Sequence, residues 1–567
     1  MEEGLLESDV EDLPNDSSIP VLEVQKNSEG SRYMKNDDYF SIKHEPKIQT
    51  LGDFLVFGYY SAFFIFLYEL IVLPMMANMT FMIYGGFTPN VDSCGEHDFR
   101  ALPSSEACEL LNEIQKTSNC TPQLSSQFHS IGYEFGYYCD SAQQVKNSIS
   151  IQMFGMLLGA ILFGQLSDLF GRRRIMLACV LGMGVLGYLA STSSDLMTFT
   201  LFQSGVLFLT GGTITISGVL LMETIPKEHR VWIFLAVSFS PNYIIFAITA
   251  YFSQDWRTLL KVISAFNIPT FICLWLAYES PRWLIQKGAL KQAKEIYEKI
   301  EKRNGTASPR RQKILEQLIQ KEVVLLEKKK HSKKYYFHHL FYTWSMIKYN
   351  LVFAFTLFCT ALINYALMFN MEKLSGSLYL NSILFGIIRY FFNILYGVID
   401  YKCPSIGRKN AHRWAVSFII IMLSFVFIVK TFELDYPVTT NIAVLSAVAM
   451  MSQLFTVIGV VSGELFPTPI RNIAASFQQI FSRCGTIVSP HFFYFTSFWI
   501  PAPYLFMIIL LVVNLFAFYF MIPESKGYPM HDHMPHKSER IFNGKSKDKD
   551  TEALTENGGN EEIKNGF

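Results

Sequence analysis

Twelve apolar runs, each near the length a helix needs to cross a bilayer, occupy most of residues 54–522. A spanning α-helix takes about 20 apolar residues, because ~1.5 Å of rise per residue must cover a ~30 Å hydrocarbon core. The runs fall at roughly 54–83, 147–167, 175–191, 196–222, 232–252, 258–278, 349–371, 378–399, 412–430, 438–462, 472–493 and 500–522. Lipid offers no partner to a backbone N–H or C=O, so segments of this kind must satisfy those groups internally, as helices. The expectation is therefore an all-α membrane protein. Charged residues make up 17% of the chain, below the ~25% of soluble domains. The formal net charge of zero argues against nucleic acid as a partner.

The polar segments sort by charge. Residues 1–50 are polar and acidic and read as a disordered cytoplasmic tail, with no cleavable signal. Residues 88–144 hold Cys94, Cys108, Cys120 and Cys139 together with eight acids. By charge this is an extracellular loop. Cysteines clustered there read as a disulfide framework, and four of them leave three pairings open. No Cys-x-x-Cys spacing supports a metal site in their place. Asn119-Cys120-Thr121 is a glycosylation sequon.

Residues 287–348 carry sixteen Lys and Arg against six Glu. Excess positive charge marks the cytoplasmic face of a membrane protein. Residues 284–347 thus read as a cytoplasmic helical linker, with charged-face helices expected over 289–300 and 312–326. The linker is expected to be solvated or to lie on anionic lipid. It separates a first six-helix half, 51–283, from a second, 348–523; residues 524–567 read as another disordered cytoplasmic tail.

Three motifs of the first half recur in order in the second. Gly164…Asp168…Gly171-Arg172-Arg173 is echoed by Gly397…Asp400…Gly407-Arg408-Lys409. Glu223…Arg230 is echoed by Glu464…Arg471, each across a Pro-containing loop. Glu279-Ser280-Pro281-Arg282 is echoed by Pro523-Glu524-Ser525-Lys526. All fall at inner helix ends. Parallel repeats are a transporter architecture in which the substrate sits between halves near the midplane. These charges are candidate gating groups, with Glu–Arg pairs expected to lock the halves when the inner gate is shut. A purely structural role competes with that reading.

The repeated motifs resemble those of the major facilitator superfamily. Within it, Gly86-Phe87-Thr88-Pro89 before Cys94, Asp255-Trp256-Arg257, Tyr278-Glu279-Ser280-Pro281-Arg282-Trp283, Tyr379-Leu380-Asn381 and Ser482-Arg483-Cys484-Gly485 are similar to the organic cation, anion and carnitine transporter family, solute carrier family 22. Sugar porters share Glu-Ser-Pro-Arg but lack the long cysteine-bearing loop. The resemblance implies a major facilitator fold of 12 transmembrane helices, a plasma-membrane location with both termini cytoplasmic, and transport of small organic ions by alternating access. It implies no cofactor and no enzyme activity. Two departures stand out: four loop cysteines where members often have six, and Arg389 where helix 8 usually carries Glu.

Ionisable groups within spans are expensive and usually serve a pathway or a partner. Glu69, Arg389 and Arg483 are the three that stand out here. Arg483 falls about midway along the 472–493 run, where its forked guanidinium suits a carboxylate or sulfate. In the resembled family the anion and carnitine branches often place Arg at this position. The competing expectation pairs Arg483 with Glu69. Tyr243, Tyr365, Phe355 and Phe481 are candidate cavity walls. No Walker-type glycine loop, nucleophile–His–Asp grouping or metal-spaced His cluster is present, which argues against ATP-driven transport, catalysis and a metal centre. The leading expectation is a secondary transporter of small organic ions, with organic anions or carnitine-like zwitterions favoured over organic cations. A coupling ion stays open. The alternatives are a non-transporting receptor or scaffold of the same fold and a sugar-porter-like carrier.

Overall fold

The computed structural model describes residues 54–100, 102, 104–117, 120–226, 229, 233, 239–330, 336–402, 407–467, 469–526 and 534. The expected tail 1–50, nearly all of the tail 524–567, Arg230 and Asn119 lie outside the described residues. Among the described residues ten helices are long and apolar enough to cross a membrane. In the first half these are α1 (Tyr59–Gly85), α3 (Ala142–Phe170), α4 (Arg172–Ala190), α5 (Leu196–Thr224) and α7 (Trp256–Leu276). In the second they are α10 (Trp344–Phe369), α11 (Leu378–Lys402), α12 (Arg408–Thr431), α13 (Pro437–Leu465) and α15 (Ala502–Met521).

The two remaining runs are helical as well. They are α6 (Phe239–Ser253) and α14 (Arg471–Val488). Helix α14 stays below the hydropathy of a simple span because Asn472, Gln478, Gln479 and Arg483 interrupt it. The expected run to 493 ends early, since Pro490 cannot continue the ladder and Ser489–Ser497 tightens into a 3₁₀ turn.

Within the halves, α3 packs on α5 and α4 on α5 and α7, while α10 packs on α14 and α12 on α13 and α15. In lipid the hydrophobic effect does not press helices together, so close backbone approach through small residues does it. At Gly159 the approach is extreme: a Cβ there would stand 1.7 Å from the Phe208 carbonyl oxygen. Gly485 plays the matching part in the second half, where a Cβ would stand 2.4 Å from the Phe358 carbonyl oxygen.

The cysteine-rich loop is a small domain. An antiparallel sheet in the order β2-β1-β3 combines β1 (Asn90–Cys94), β2 (His97–Asp98) and β3 (Pro122–Ser125). Helix α2 (Ser104–Thr117) covers it through Leu111 against Phe99 and Val91. Of the three pairings open to the sequence, the structure has Cys94–Cys120 and Cys108–Cys139.

The linker helices α8 (Leu290–Asn304) and α9 (Pro309–Lys330) are longer than expected, and they are not free in solvent. They clasp the lead-in to α1. Asn304 Oδ1 accepts the Tyr60 N–H at 2.9 Å and its Nδ2 donates to the Val56 carbonyl at 3.1 Å. Arg311 pairs with Glu301 and donates to the Phe54 carbonyl at 2.6 Å. Tyr297 of α8 is buried against Phe54, and burial pushes its phenol up to about 12.

Candidate functional site

A cavity of about 320 Å³ lies between the halves. Helices α1, α5 and α6 give it an apolar and aromatic wall that includes Tyr68, Met79, Phe239 and Tyr243. Helices α10, α11, α13 and α14 give it a polar wall that includes Asn364, Tyr365, Arg389, Asn393, Gln453, Gln479 and Arg483. Among the described residues no Asp or Glu lines it.

Both arginines reach the cavity without a carboxylate partner among the described residues. The Arg389 guanidinium carbon is 5.4 Å from the Tyr243 ring centroid and 5.8 Å from that of Phe385, and its Nε is buried without a hydrogen-bond partner. Aromatic faces attract a guanidinium without neutralising it. Arg483 faces the Tyr365 hydroxyl and points Nη1 at the Met156 sulfur, 3.9 Å away. Thioethers hold the tyrosines too, across the halves: Tyr243 OH lies 3.5 Å from Met368 Sδ and Tyr365 OH 3.3 Å from Met79 Sδ.

Two expectations need correction. Glu69 neither lines the cavity nor pairs with Arg483; its Oε1 accepts Asn242 Nδ2 at 2.8 Å and its Oε2 is buried without a partner. Successive helix residues lie ~100° apart, so the turn that aims Tyr68 into the cavity aims Glu69 at α6. Phe355 and Phe481 are not in the wall.

The inner charge motifs assemble as two similar clusters. In the first half Arg172 bonds Glu223 at 2.7 Å and Asp168 at 3.1 Å, and the Arg173 N–H donates to Glu279 at 3.0 Å. Gly171, at φ 108°, makes the turn that brings them together, and Trp283 Nε1 donates to the Asp168 carbonyl at 3.0 Å. In the second half Arg408 reaches Glu464 at 3.2 Å and Asp400 at 3.4 Å, and its N–H donates to Glu524 at 2.8 Å. Lys526 adds a bond to Asp400 at 3.1 Å. Each of these bonds stays inside one half; the lock between halves is expected only with the inner gate shut. Glu464 pairs with Arg408, and Arg471 Nε donates to the Phe466 carbonyl at 3.4 Å. Gly164 packs at Thr215, and Arg282 lies close to the Tyr297 hydroxyl.

Residues 56–534 match the family described as "Sugar (and other) transporter". The chain belongs to that family. Curated relatives of this transporter include solute carrier family 22 member 16 of Bos taurus, 27% identical over 67% of this chain and 65% of the relative. Organic cation/carnitine transporter 2 of Homo sapiens is 28% identical over 70% of each chain. The inward open xylose transporter XylE from E. coli superposes with a TM-score of 0.58 at 14% identity, over 83% of this chain and 98% of that one. XylE bound to 6-bromo-6-deoxy-D-glucose, a proton:xylose symporter of the major facilitator superfamily, superposes with a TM-score of 0.56. The fold is thus that of the major facilitator superfamily. The family is one of membrane carriers, not enzymes.

Sequence reasoning missed the transporter's cavity amides. Asn393 Nδ2 donates to Ser240 Oγ at 2.9 Å across the halves, and its Oδ1 accepts Ser452 Oγ at 3.0 Å and the Gln453 amide. Their signal was an Asn or Gln inside an apolar run, which costs free energy unless bonded.

The inner cluster yields a graded prediction. Arg172 and Glu223 are 9% and 12% exposed, Asp168 68%. Glu223→Gln should cost about 2–3 kcal/mol, because the buried guanidinium keeps only its bond to the exposed Asp168. Surface expression of that variant should fall sharply. Asp168→Asn should cost under ~1 kcal/mol. It should reach the surface with lowered turnover and an unchanged substrate ranking. Surface biotinylation alongside uptake rates checks both, and equal expression of the two variants would refute the ordering.

Proposed function

We propose that this transporter is a secondary carrier of small organic anions, or of zwitterions bearing a carboxylate, working by alternating access to the central cavity. The observation that carries this reading is the pair Arg389 and Arg483 lining a cavity with no acid in its wall among the described residues. A stranded guanidinium in a weakly polar site is costly, and an arriving carboxylate or sulfate offsets that cost with forked, charge-assisted hydrogen bonds. The aromatic wall suits an apolar body on the same molecule. A zwitterion is favoured as a second substrate type by the name of one relative, organic cation/carnitine transporter 2 of Homo sapiens.

In this reading the protein sits in the plasma membrane, the 88–144 loop is outside, and the linker and termini are inside. The gating groups Asp168, Arg172, Arg173, Glu223, Arg230, Glu279, Arg282, Asp400, Arg408, Glu464 and Arg471 set the balance of conformations. The two similar charge clusters support transport over a scaffold role, which has no need of both. The test is uptake into liposomes of labelled organic anions, carnitine-like zwitterions, permanent cations and sugars. Anions or zwitterions should accumulate over cations and sugars. Preferred uptake of a permanent cation or a sugar would overturn the reading, and no uptake of any probe would favour the scaffold.

A further inference from the structure

On the side of the disulfide-bonded loop, a carboxylate joins the halves, beside the bonds that Gln127 makes to Gly376, Leu378 and Tyr379. Glu372, in the turn after α10, reaches out of the second half. Its Oε1 lies 3.0 Å from Lys146 Nζ in the first turns of α3. Its Oε2 accepts the Thr88 N–H at 2.8 Å, and the Thr88 hydroxyl donates to Oε1 at 3.3 Å. The two charged side chains are 10% and 9% exposed, so the carboxylate is seated rather than resting on a surface. The neighbouring Lys373 turns onto the Phe493 ring of its own half, 5.2 Å away.

The three donors facing Glu372 all belong to the first half. Thr88 is held in place by Phe87, whose carbonyl accepts Ser130 Oγ at 2.7 Å, and Lys146 is fixed in α3. One backbone N–H, one hydroxyl and one ammonium therefore form a receptacle that matches a carboxylate, and Glu372 is the carboxylate that fills it in this state. Alternating access requires the halves to part here. When they do, a partly buried ammonium loses its partner, and a carboxylate from solution offers the same bonds.

We propose that Thr88 and Lys146 form a second anion site, filled by Glu372 when the loop side is closed and by a free organic carboxylate when it opens. Internal and external carboxylates then exclude each other, so an external carboxylate holds this face open. The proposal rests on the carrier reading above and on the loop facing outside.

Ser150 supplies the reporter. It lies one turn deeper than Lys146 on α3 and donates to the Ile487 carbonyl of the second half at 2.7 Å. The rate at which a membrane-impermeant maleimide labels Ser150→Cys from outside reports opening, with the carrier lacking that change as the blank. Benzoate added outside should speed labelling severalfold. Adding Lys146→Gln should raise labelling without benzoate and remove the response to it, whereas Lys146→Arg should keep the response. Glu372→Gln should shift the half-maximal benzoate concentration downward by several-fold. The double variant Arg389→Ala/Arg483→Ala, which should lose transport, should keep the benzoate response, and this separates the second site from the central one. A response that survives Lys146→Gln, or one that is lost in the double arginine variant, or no response to benzoate in any carrier, would overturn the proposal.

Discussion

Arg483→Ala is expected to lower uptake of a labelled organic anion at least ~10-fold while the protein still reaches the surface. A hydrogen bond to a charged group contributes about 1.5–3 kcal/mol, and Arg483 offers a forked pair at the cavity wall. Arg483→Lys should fall between wild type and Arg483→Ala, because it keeps the charge and loses the fork. Glu69→Gln should not reproduce the loss, since Glu69 bonds Asn242 and not Arg483. Uptake together with surface biotinylation decides the matter. Undiminished anion uptake by a well-expressed Arg483→Ala carrier would remove the central anchor from the proposed function.

Gly159→Val is expected to prevent assembly of the first half. The added Cβ would stand 1.7 Å from the Phe208 carbonyl, and backbone on that side cannot rotate away as a side chain can. Helices α3 and α5 would have to separate along one of the most extensive contacts in the molecule. A cost above about 4 kcal/mol is in the range of severe core disruption. Gly218→Ala is the control, because nothing lies within 4 Å of a Cβ there. Detergent-solubilised Gly159→Val should run as aggregate on size exclusion, and Gly218→Ala as wild type. A monodisperse Gly159→Val peak would show that the helix contact is looser than described.

The sequence carried the spans, the halves and the cysteine-rich domain because each is a local pattern. Apolar length alone predicts a helix in lipid, and the acid-rich segment with Cys94, Cys108, Cys120 and Cys139 was legible as a loop with a disulfide framework. Its pairing was not, since that depends on which residues the β1–β3 ladder brings together. Arg389, Arg483, Tyr243 and Tyr365 were legible as cavity residues through their chemistry. Glu69 misled for the same reason: its charge marked it, but only the rotation of α1 shows which neighbour it meets. The Lys146–Glu372 bond spans 226 positions, and no periodicity within either segment announces it. The inner clusters were half legible. The charged residues do cluster, but the spacing does not show that Glu464 meets Arg408, because helix ends from one half converge there.

The thioether contacts around the cavity have a kinetic consequence. Sulfur is a weak acceptor, so Tyr243, Tyr365 and Arg483 are oriented by Met368, Met79 and Met156 without being bound tightly by them. An arriving solute has little to displace, and the thioethers reclaim their donors as soon as it leaves. In the proposed carrier, donors held only by thioethers cost little to load and stay oriented between cycles, which suits a cavity that must be refilled on every turn.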